Sequence, residues 1–167
     1  MFQKIMVPLD GSKLAECALD YAETLAQNCN TTEVVLVSIT ERLVGRTRAP
    51  EAQETFRGSG KAGLGQASRE TTVTFGKMTE QARRYLGRVE KKMKARGIPV
   101  RSEVLMGNPA ESITKFAEKE SIDLIVMSSH GRSGPSRWAL GSVTDKVFRA
   151  SCVPVLMVRA PGCIAGF

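Results

Sequence analysis

One stretch constrains the fold of this chain more than any other: the apolar run Ile122-Asp123-Leu124-Ile125-Val126-Met127 and the small residues that follow it. The run is too short for a helix and rich in branched side chains, so it reads as a buried strand. It stops in Ser128-Ser129-His130-Gly131, and after an interval containing Gly134 and Pro135 a helical pattern opens at Gly141-Ser142. Ser142 and Asp145 have the N-cap to N3 spacing of a capping box, which predicts Ser142 as the cap. A glycine loop that leaves a parallel strand and ends on a helix N-terminus suits an anion. It offers backbone N–H groups, the positive end of a helix dipole and little side-chain bulk.

The rest of the chain repeats strand and helix in alternation. Phe2–Leu9 reads as a first strand that ends at Asp10-Gly11-Ser12, with Pro8 in its last turn because proline cannot donate to a ladder. Ser12 caps a helix whose inner stripe is Leu14, Ala18, Ala22 and Leu25, widened by Ala15 and Ala26. Val34–Ile39 is a second buried strand, and strand, helix, strand in this span makes a parallel, right-handed crossover.

A second helix carries Met78, Ala82, Leu86, Val89 and Met93 on one stripe and stops at Gly97. Pro99–Met106 alternates Val100 and Val104 against Arg101 and Glu103, the pattern of a strand near a sheet edge. Asn108 as cap, Pro109 at N1 and Glu111 at N3 open a third helix with Ile113, Phe116 and Ala117 inward. Val143, Val147 and Ala150 are the expected inner residues of the fourth, and Cys152–Val158 is a fifth strand with Pro154 at an edge or a start. The sum is one α/β domain over 1–160: a five-stranded, parallel, doubly wound sheet with helices on both faces. Residues 42–76 read as a long variable loop, with a helical turn around Glu51–Phe56, and 161–167 as a short tail.

Composition narrows the function classes. At 167 residues the chain is long enough for one sizeable core, and no apolar run reaches the roughly 20 residues of a membrane helix. No signal-peptide pattern opens it, and Cys17, Cys29, Cys152 and Cys163 lack CxxC spacing, so reduced thiols in the cytoplasm are expected. Cys17 and Cys152 lie within apolar patterns. His130 is the single histidine, which leaves little room for zinc sites or a nucleophile–histidine triad.

The net charge is +7, and much of it sits in Lys77–Arg96, where Arg83, Arg84, Arg88, Lys91, Lys92, Lys94 and Arg96 face only Glu80 and Glu90. A solvated helix face is the favoured reading. Tyr85 is the only aromatic among these charges, so they do not form a base-stacking platform; a nucleic-acid or anionic-surface role is the weaker alternative, one that steep weakening with salt would support.

Asp10 stands where open α/β sheets place their ligands, at the carboxyl end of a strand, and it can contact a sugar hydroxyl or a metal–phosphate group. A turn residue bonding the Gly11-Ser12 backbone explains it equally well. The glycines Gly58, Gly60, Gly63 and Gly65 follow no strand and precede no GK[ST], so they make a poor phosphate loop.

Three stretches together resemble the universal stress protein family: Ile5-Met6-Val7-Pro8-Leu9-Asp10-Gly11-Ser12, then Ser128–Gly134 with Gly141-Ser142-Val143-Thr144, then Cys152–Val158. The likeness spans nearly all of the chain except the 42–76 loop and the tail. The nucleotide-binding branch of that family carries G-x-x-G, nine residues, then G-[ST]. Gly131, the interval Arg132–Leu140 and Gly141-Ser142 match it, with Ser128 in place of the first glycine.

The resemblance implies a Rossmann-like fold that binds ATP or AMP, with Mg²⁺ arriving on the triphosphate. By position, Pro8 and Asp10 would line the ribose, and Ile39 would meet adenine through its backbone. Ser128, Gly131, Arg132, Ser133 and Gly134 would wrap sugar and phosphates, and Ser142, Val143 and Thr144 would offer N–H and hydroxyl groups to the phosphates. It also implies a homodimer through the last strand, Val155, Leu156, Met157 and Val158. The implied role is a stress-response or regulatory switch, with a nucleotide-free dimeric scaffold as the alternative. Any hydrolysis would be slow, because no residue set offers a poised general base.

Overall fold

A computed structural model describes residues 2–40, 66–130 and 140–159, the side chains of 66–75 excepted. The expected helical turn at Glu51–Phe56, the Gly58–Gly65 stretch, Gly131 to Gly134, Cys163 and the tail lie outside the described residues.

The elements run β1 (Lys4–Pro8), α1 (Lys13–Asn28), β2 (Glu33–Thr40), α2 (Gln66–Ala95), β3 (Val100–Met106), α3 (Pro109–Lys119), β4 (Leu124–Ser128), α4 (Ser142–Ala150) and β5 (Val155–Val158). The strands form one parallel sheet in the order β3-β2-β1-β4-β5. Every β1 residue from Ile5 to Pro8 is buried, as is all of β4. That explains why both read as unbroken apolar runs: a central parallel strand is covered on both faces. β3 is half-buried along most of its length, with Glu103 and Met106 exposed, and it pairs with β2 alone at the sheet edge.

Each face of the sheet has its own core. Ile5, Val7, Leu36 and Val126 pack against Ala15, Ala18, Ala22 and Ala26 of α1 and Leu86, Val89 and Met93 of α2. Met6, Val35, Val37, Ile125 and Met127 pack against Ala110, Ile113 and Ala117 of α3 and Val147 of α4. The alanine stripe lets α1 lie close on the sheet. The helices thus cover both faces, as the alternation of elements predicts.

Local signals set most boundaries. The Ser12 hydroxyl accepts from the Ala15 N–H at 3.1 Å, and the Asn108 side chain accepts from the Glu111 N–H at 3.3 Å. At the end of α2, Ile98 N–H bonds the Met93 carbonyl at 3.1 Å and Gly97 N–H the Lys94 carbonyl at 3.0 Å, with Gly97 at φ +79°. This is a Schellman stop, closed by the contact of Ile98 and Met93 within one core.

Three expectations are corrected. The loop does not run to Gly76, because α2 begins at Gln66. A period is hard to see there because Ser68, Thr71, Thr72 and Thr74 break up the apolar pattern while still fitting a helix. Ala150 is exposed at the last turn of α4, where Thr144 is buried in its stead. Cys152 is exposed in the link before β5 and, with Cys17 and Cys29, is a free thiol.

Two polar clusters tie the edge strand down. Arg101 on β3 reaches Glu33 at 3.0 Å, Glu103 at 2.9 Å and Glu120 at 3.0 Å, with its guanidinium 6.0 Å from the Phe116 ring centre. Glu90 on α2 accepts from Lys94 at 2.7 Å and from the Ser102 hydroxyl of β3 at 2.5 Å. Burial pushes the Glu90 carboxyl up, but the bonds from Lys94 and Ser102 outweigh it and hold the group below the usual carboxylate value. A lowered folded pKa stabilises the fold above the unfolded pKa, and that gain fades as pH falls through the lowered value. Glu90→Gln should therefore cost about 1–2 kcal/mol at neutral pH and less in acid. Urea midpoints of both proteins from pH 7 down to about 3 check this; parallel curves would exclude the ion pair as the cause.

Candidate functional site

The chain winds from β1 outward to β2 and β3, then returns to β4 and winds the other way to β5. The reversal lies between β1 and β4, and the crevice outside the carboxyl ends of these strands is where open α/β sheets hold ligands. Each wall of the crevice follows from local backbone chemistry.

On the β1 side, Leu9 N–H bonds the Val37 carbonyl at 2.7 Å and the chain then turns through Gly11 at φ +83°. Only glycine adopts that conformation without strain. Asp10 Oδ1 accepts from the Ser12 N–H at 2.9 Å, closing the turn that feeds α1. The turn role of Asp10 is thus present in the geometry, at the place expected for a ligand contact. Pro8 is buried one step below.

Ile39 is half-buried near the end of β2. Successive residues of a parallel strand address opposite neighbours. Val37 serves β1, and the Thr40 carbonyl accepts from Gly107 on the β3 side at 3.2 Å. The main-chain groups of Ile39 therefore point to the β1 side, beyond the last residue of β1. Alternation alone puts them over the crevice.

The β4 side is a compact polar knot. Ser128, Ser129, His130 and Thr144 are all at most 5% exposed. Ser129 N–H bonds the Val158 carbonyl at 2.7 Å, and the Ser129 carbonyl accepts from Gly141 N–H at 2.9 Å. The Thr144 hydroxyl donates to the Ser128 carbonyl at 2.9 Å, so one turn of α4 is fastened to the end of β4 at two points. The Ser129 hydroxyl and His130 Nδ1 lie 3.1 Å apart, and the Ser128 hydroxyl accepts weakly from His130 N–H at 3.4 Å. His130 shapes the loop from within rather than facing solvent.

Gly141, not Ser142, is the N-cap of α4, and it makes no side-chain cap bond. Ser142 is the exposed first residue of the helix, and Asp145 pairs with Arg149 at 2.9 Å instead of reaching back to the cap. The capping-box expectation fails because a Cβ at residue 141 would stand 3.1 Å from the Ser129 carbonyl and 3.5 Å from the His130 Cα. Close approach selects glycine for the cap, and the serine is pushed one place along. Thr144 also differs from expectation, since its hydroxyl proton is committed to Ser128. The structure thus brings Pro8, Asp10, Ile39, Ser128, Gly141, Ser142, Val143 and Thr144 to one end of the sheet. Reading by sequence missed the structural part of Ser129 and Thr144. Their small polar side chains, set among buried neighbours, were the available signal.

Tyr85 of α2 has its hydroxyl buried, with the Glu16 carboxylate beside it. Burial pushes its phenol well up, and the nearby Glu16 and Asp10 carboxylates push it further. It remains a neutral phenol near the Asp10 turn. Among the described residues no group of three His, Cys, Asp or Glu side chains is placed to hold a metal ion, and no helix is long and apolar enough to cross a membrane.

A parallel open sheet with a helix N-terminus fastened across its carboxyl edge defines a Rossmann-like α/β protein. More narrowly, the chain belongs to the universal stress protein family, whose model matches residues 1–159. Universal stress protein MJ0577 of Methanocaldococcus jannaschii is 32% identical over 95% of this chain and 96% of its own. YxiE of Bacillus subtilis is 32% identical over 95% of this chain and its whole length. The solved structure of MJ0577 superposes with a TM-score of 0.75 over 95% of this chain and 96% of that one. A universal stress protein family protein from Arabidopsis thaliana, solved with AMP bound, superposes at TM-score 0.60, with 98% of this chain and 95% of that one covered. At 15% identity that second likeness speaks for the fold alone.

Proposed function

We propose that this chain binds an adenine nucleotide, ATP or AMP, in the crevice between β1 and β4 and acts as a cytoplasmic stress-response or regulatory switch. The observation that carries the reading is Gly141. Its missing side chain lets the first turn of α4 lie directly against the end of β4, where a Cβ would meet the Ser129 carbonyl at 3.1 Å. Main-chain N–H groups of Ser142, Val143 and Thr144 then form the positive end of a helix beside the Asp10 turn, a setting for phosphates.

In this reading Pro8 and Asp10 line the ribose and the Ile39 main chain meets adenine. Ser128, Gly131, Arg132, Ser133 and Gly134 surround sugar and phosphates. Ser128 is compatible with the site because its hydroxyl faces the loop's own backbone. Mg²⁺ arrives with the triphosphate and keeps much of its water. That solved relatives of the fold include one with AMP bound makes adenine nucleotides the first ligands to test. A nucleotide-free scaffold has one observation in its favour: β5 is an edge strand with Leu156 36% exposed, an apolar edge that a second copy would cover. The two readings share the homodimer through Val155, Leu156, Met157 and Val158.

Thermal midpoints with and without Mg-ATP, on protein stripped by unfolding and refolding, test the proposal. Ligand at 100 times its Kd adds about 2.7 kcal/mol, a rise of roughly 5–10 °C in a domain of this size. Ser142→Asp separates binding from folding. A carboxylate at the first helical position stabilises the free protein by about 0.3–1 kcal/mol but repels phosphate, so the ATP-induced rise should vanish while the apo midpoint holds or climbs. No rise in the parent protein at millimolar ATP would favour the scaffold.

A further inference from the structure

Eight cations against Glu80 and Glu90 concentrate nearly all of the chain's net charge of +7 into 76–96, so the remainder is close to neutral. The structure shows how that charge is arranged. Helix α2 turns Leu86, Val89 and Met93 to the core, while Lys77, Arg83, Arg84, Arg88, Lys91 and Lys92 are all exposed. At 100° per residue, Lys77, Arg84, Arg88 and Lys91 fall on one stripe within about 60° of each other, and they extend along some 21 Å of helix. Lys92 flanks it.

The two carboxylates of the segment are already engaged, Glu80 with Arg84 at 3.0 Å and Glu90 with Lys94 at 2.7 Å. Arg96 pairs across to Glu23 of α1 at 2.5 Å. Among the described residues, Lys77, Arg83, Arg88, Lys91 and Lys92 form no ion pair. The stripe contains no apolar anchor either: Glu80, Gln81 and Gly87 lie along it between its cations and Ala95 one turn beyond Lys91, and no exposed large apolar side chain of the described residues lies on α2. A helix that inserts into a lipid surface needs such a face.

We infer that the solvent face of α2 binds a nucleic-acid backbone without reading its sequence. A straight row of four cations spread over about 21 Å complements a rod of phosphates, and phosphate contacts need no aromatic platform. The absence of stacking residues argues against base recognition only. Tyr85, the aromatic in this run, is turned inward and takes no part.

Fluorescence anisotropy of a labelled mixed-sequence duplex of about 20 base pairs, titrated with the full chain, tests this. Four phosphate contacts, from the unpaired Lys77, Arg88, Lys91 and Lys92, predict a log–log salt slope near −3.6, hence a loss on the order of 100-fold in affinity between about 50 and 200 mM KCl. Arg88→Glu, Lys91→Glu and Lys92→Glu together should abolish binding at the lower salt. Lys119→Glu, Lys146→Glu and Arg159→Glu, an equal charge change elsewhere on the surface, should leave most of it. Unchanged thermal midpoints and an unchanged response to Mg-ATP show that both variants are folded, and keep this result separate from the nucleotide site. Equal losses in the two triple variants, no binding by the parent protein at the lower salt, or binding to anionic lipid vesicles in place of the duplex would each overturn the inference.

Discussion

Ile125→Ala is expected to lower stability by about 2–5 kcal/mol, a fall of roughly 5–20 °C in thermal midpoint. Ile125 is fully buried in β4, beside Met6 of β1 and Val155 of β5 in the register. It belongs to the core that joins the sheet to α3 and α4. A central strand covered on both faces cannot collapse around a lost side chain without moving its neighbours, so the cavity term adds to the transfer term. Tyr21→Ala, at a position 54% exposed on α1, should change stability by only about 0.5 kcal/mol. Urea midpoints of the two variants make the comparison. A loss under about 1 kcal/mol for Ile125→Ala would mean that β4 is not the centre of this core.

Gly141→Val should cost about 1–3 kcal/mol and remove any response to Mg-ATP. The backbone at residue 141 is at φ −55°, which valine tolerates, so the penalty is steric. The obstructing atom is the Ser129 carbonyl oxygen, 3.1 Å from where a Cβ would sit, and it cannot easily yield. Its peptide is held by Gly141 N–H at 2.9 Å, and Ser129 N–H is bonded to Val158 at 2.7 Å. Gly141→Ser makes the same point more sharply. Serine is a good N-cap and would ordinarily be neutral or better, yet here the same contact opposes it, so a small loss is expected. Midpoints for both variants, each with and without Mg-ATP, read the two effects together. A Gly141→Val protein that keeps its stability and its ATP response would remove the α4 terminus from the proposed site.

The strands were legible because β1, β2 and β4 are buried on both faces, so their sequences contain little besides branched apolar residues. Caps at Ser12 and Asn108 and the stop at Gly97 were legible for a similar reason: each is decided by atoms within a few residues. Ser142 was misread because the competing constraint is not local. The rule for caps weighs the side chain at one position against the N–H three residues on, whereas the contact that excludes a side chain at 141 comes from the end of β4. The start of α2 was misplaced because polar and β-branched residues at 68–74 weaken the periodic signal without forbidding a helix. Thr144 was read as a phosphate donor, and only the structure shows its hydroxyl committed to Ser128.

By itself the sequence determined the alternation of five strands and four helices, the family, and the glycine-bearing turns at Gly11 and Gly97. These follow from burial pattern, φ preference and residue size, all of which are properties of short stretches of chain. Tertiary structure alone decided three other matters. It placed the reversal of strand order between β1 and β4, so that Asp10, Ile39, Ser128 and Gly141 share one crevice. It tied α4 to β4 through Ser129 and Thr144, and it left five cations on the solvated face of α2 without carboxylate partners among the described residues. Each depends on which distant elements meet, and a chain read residue by residue does not contain that distance.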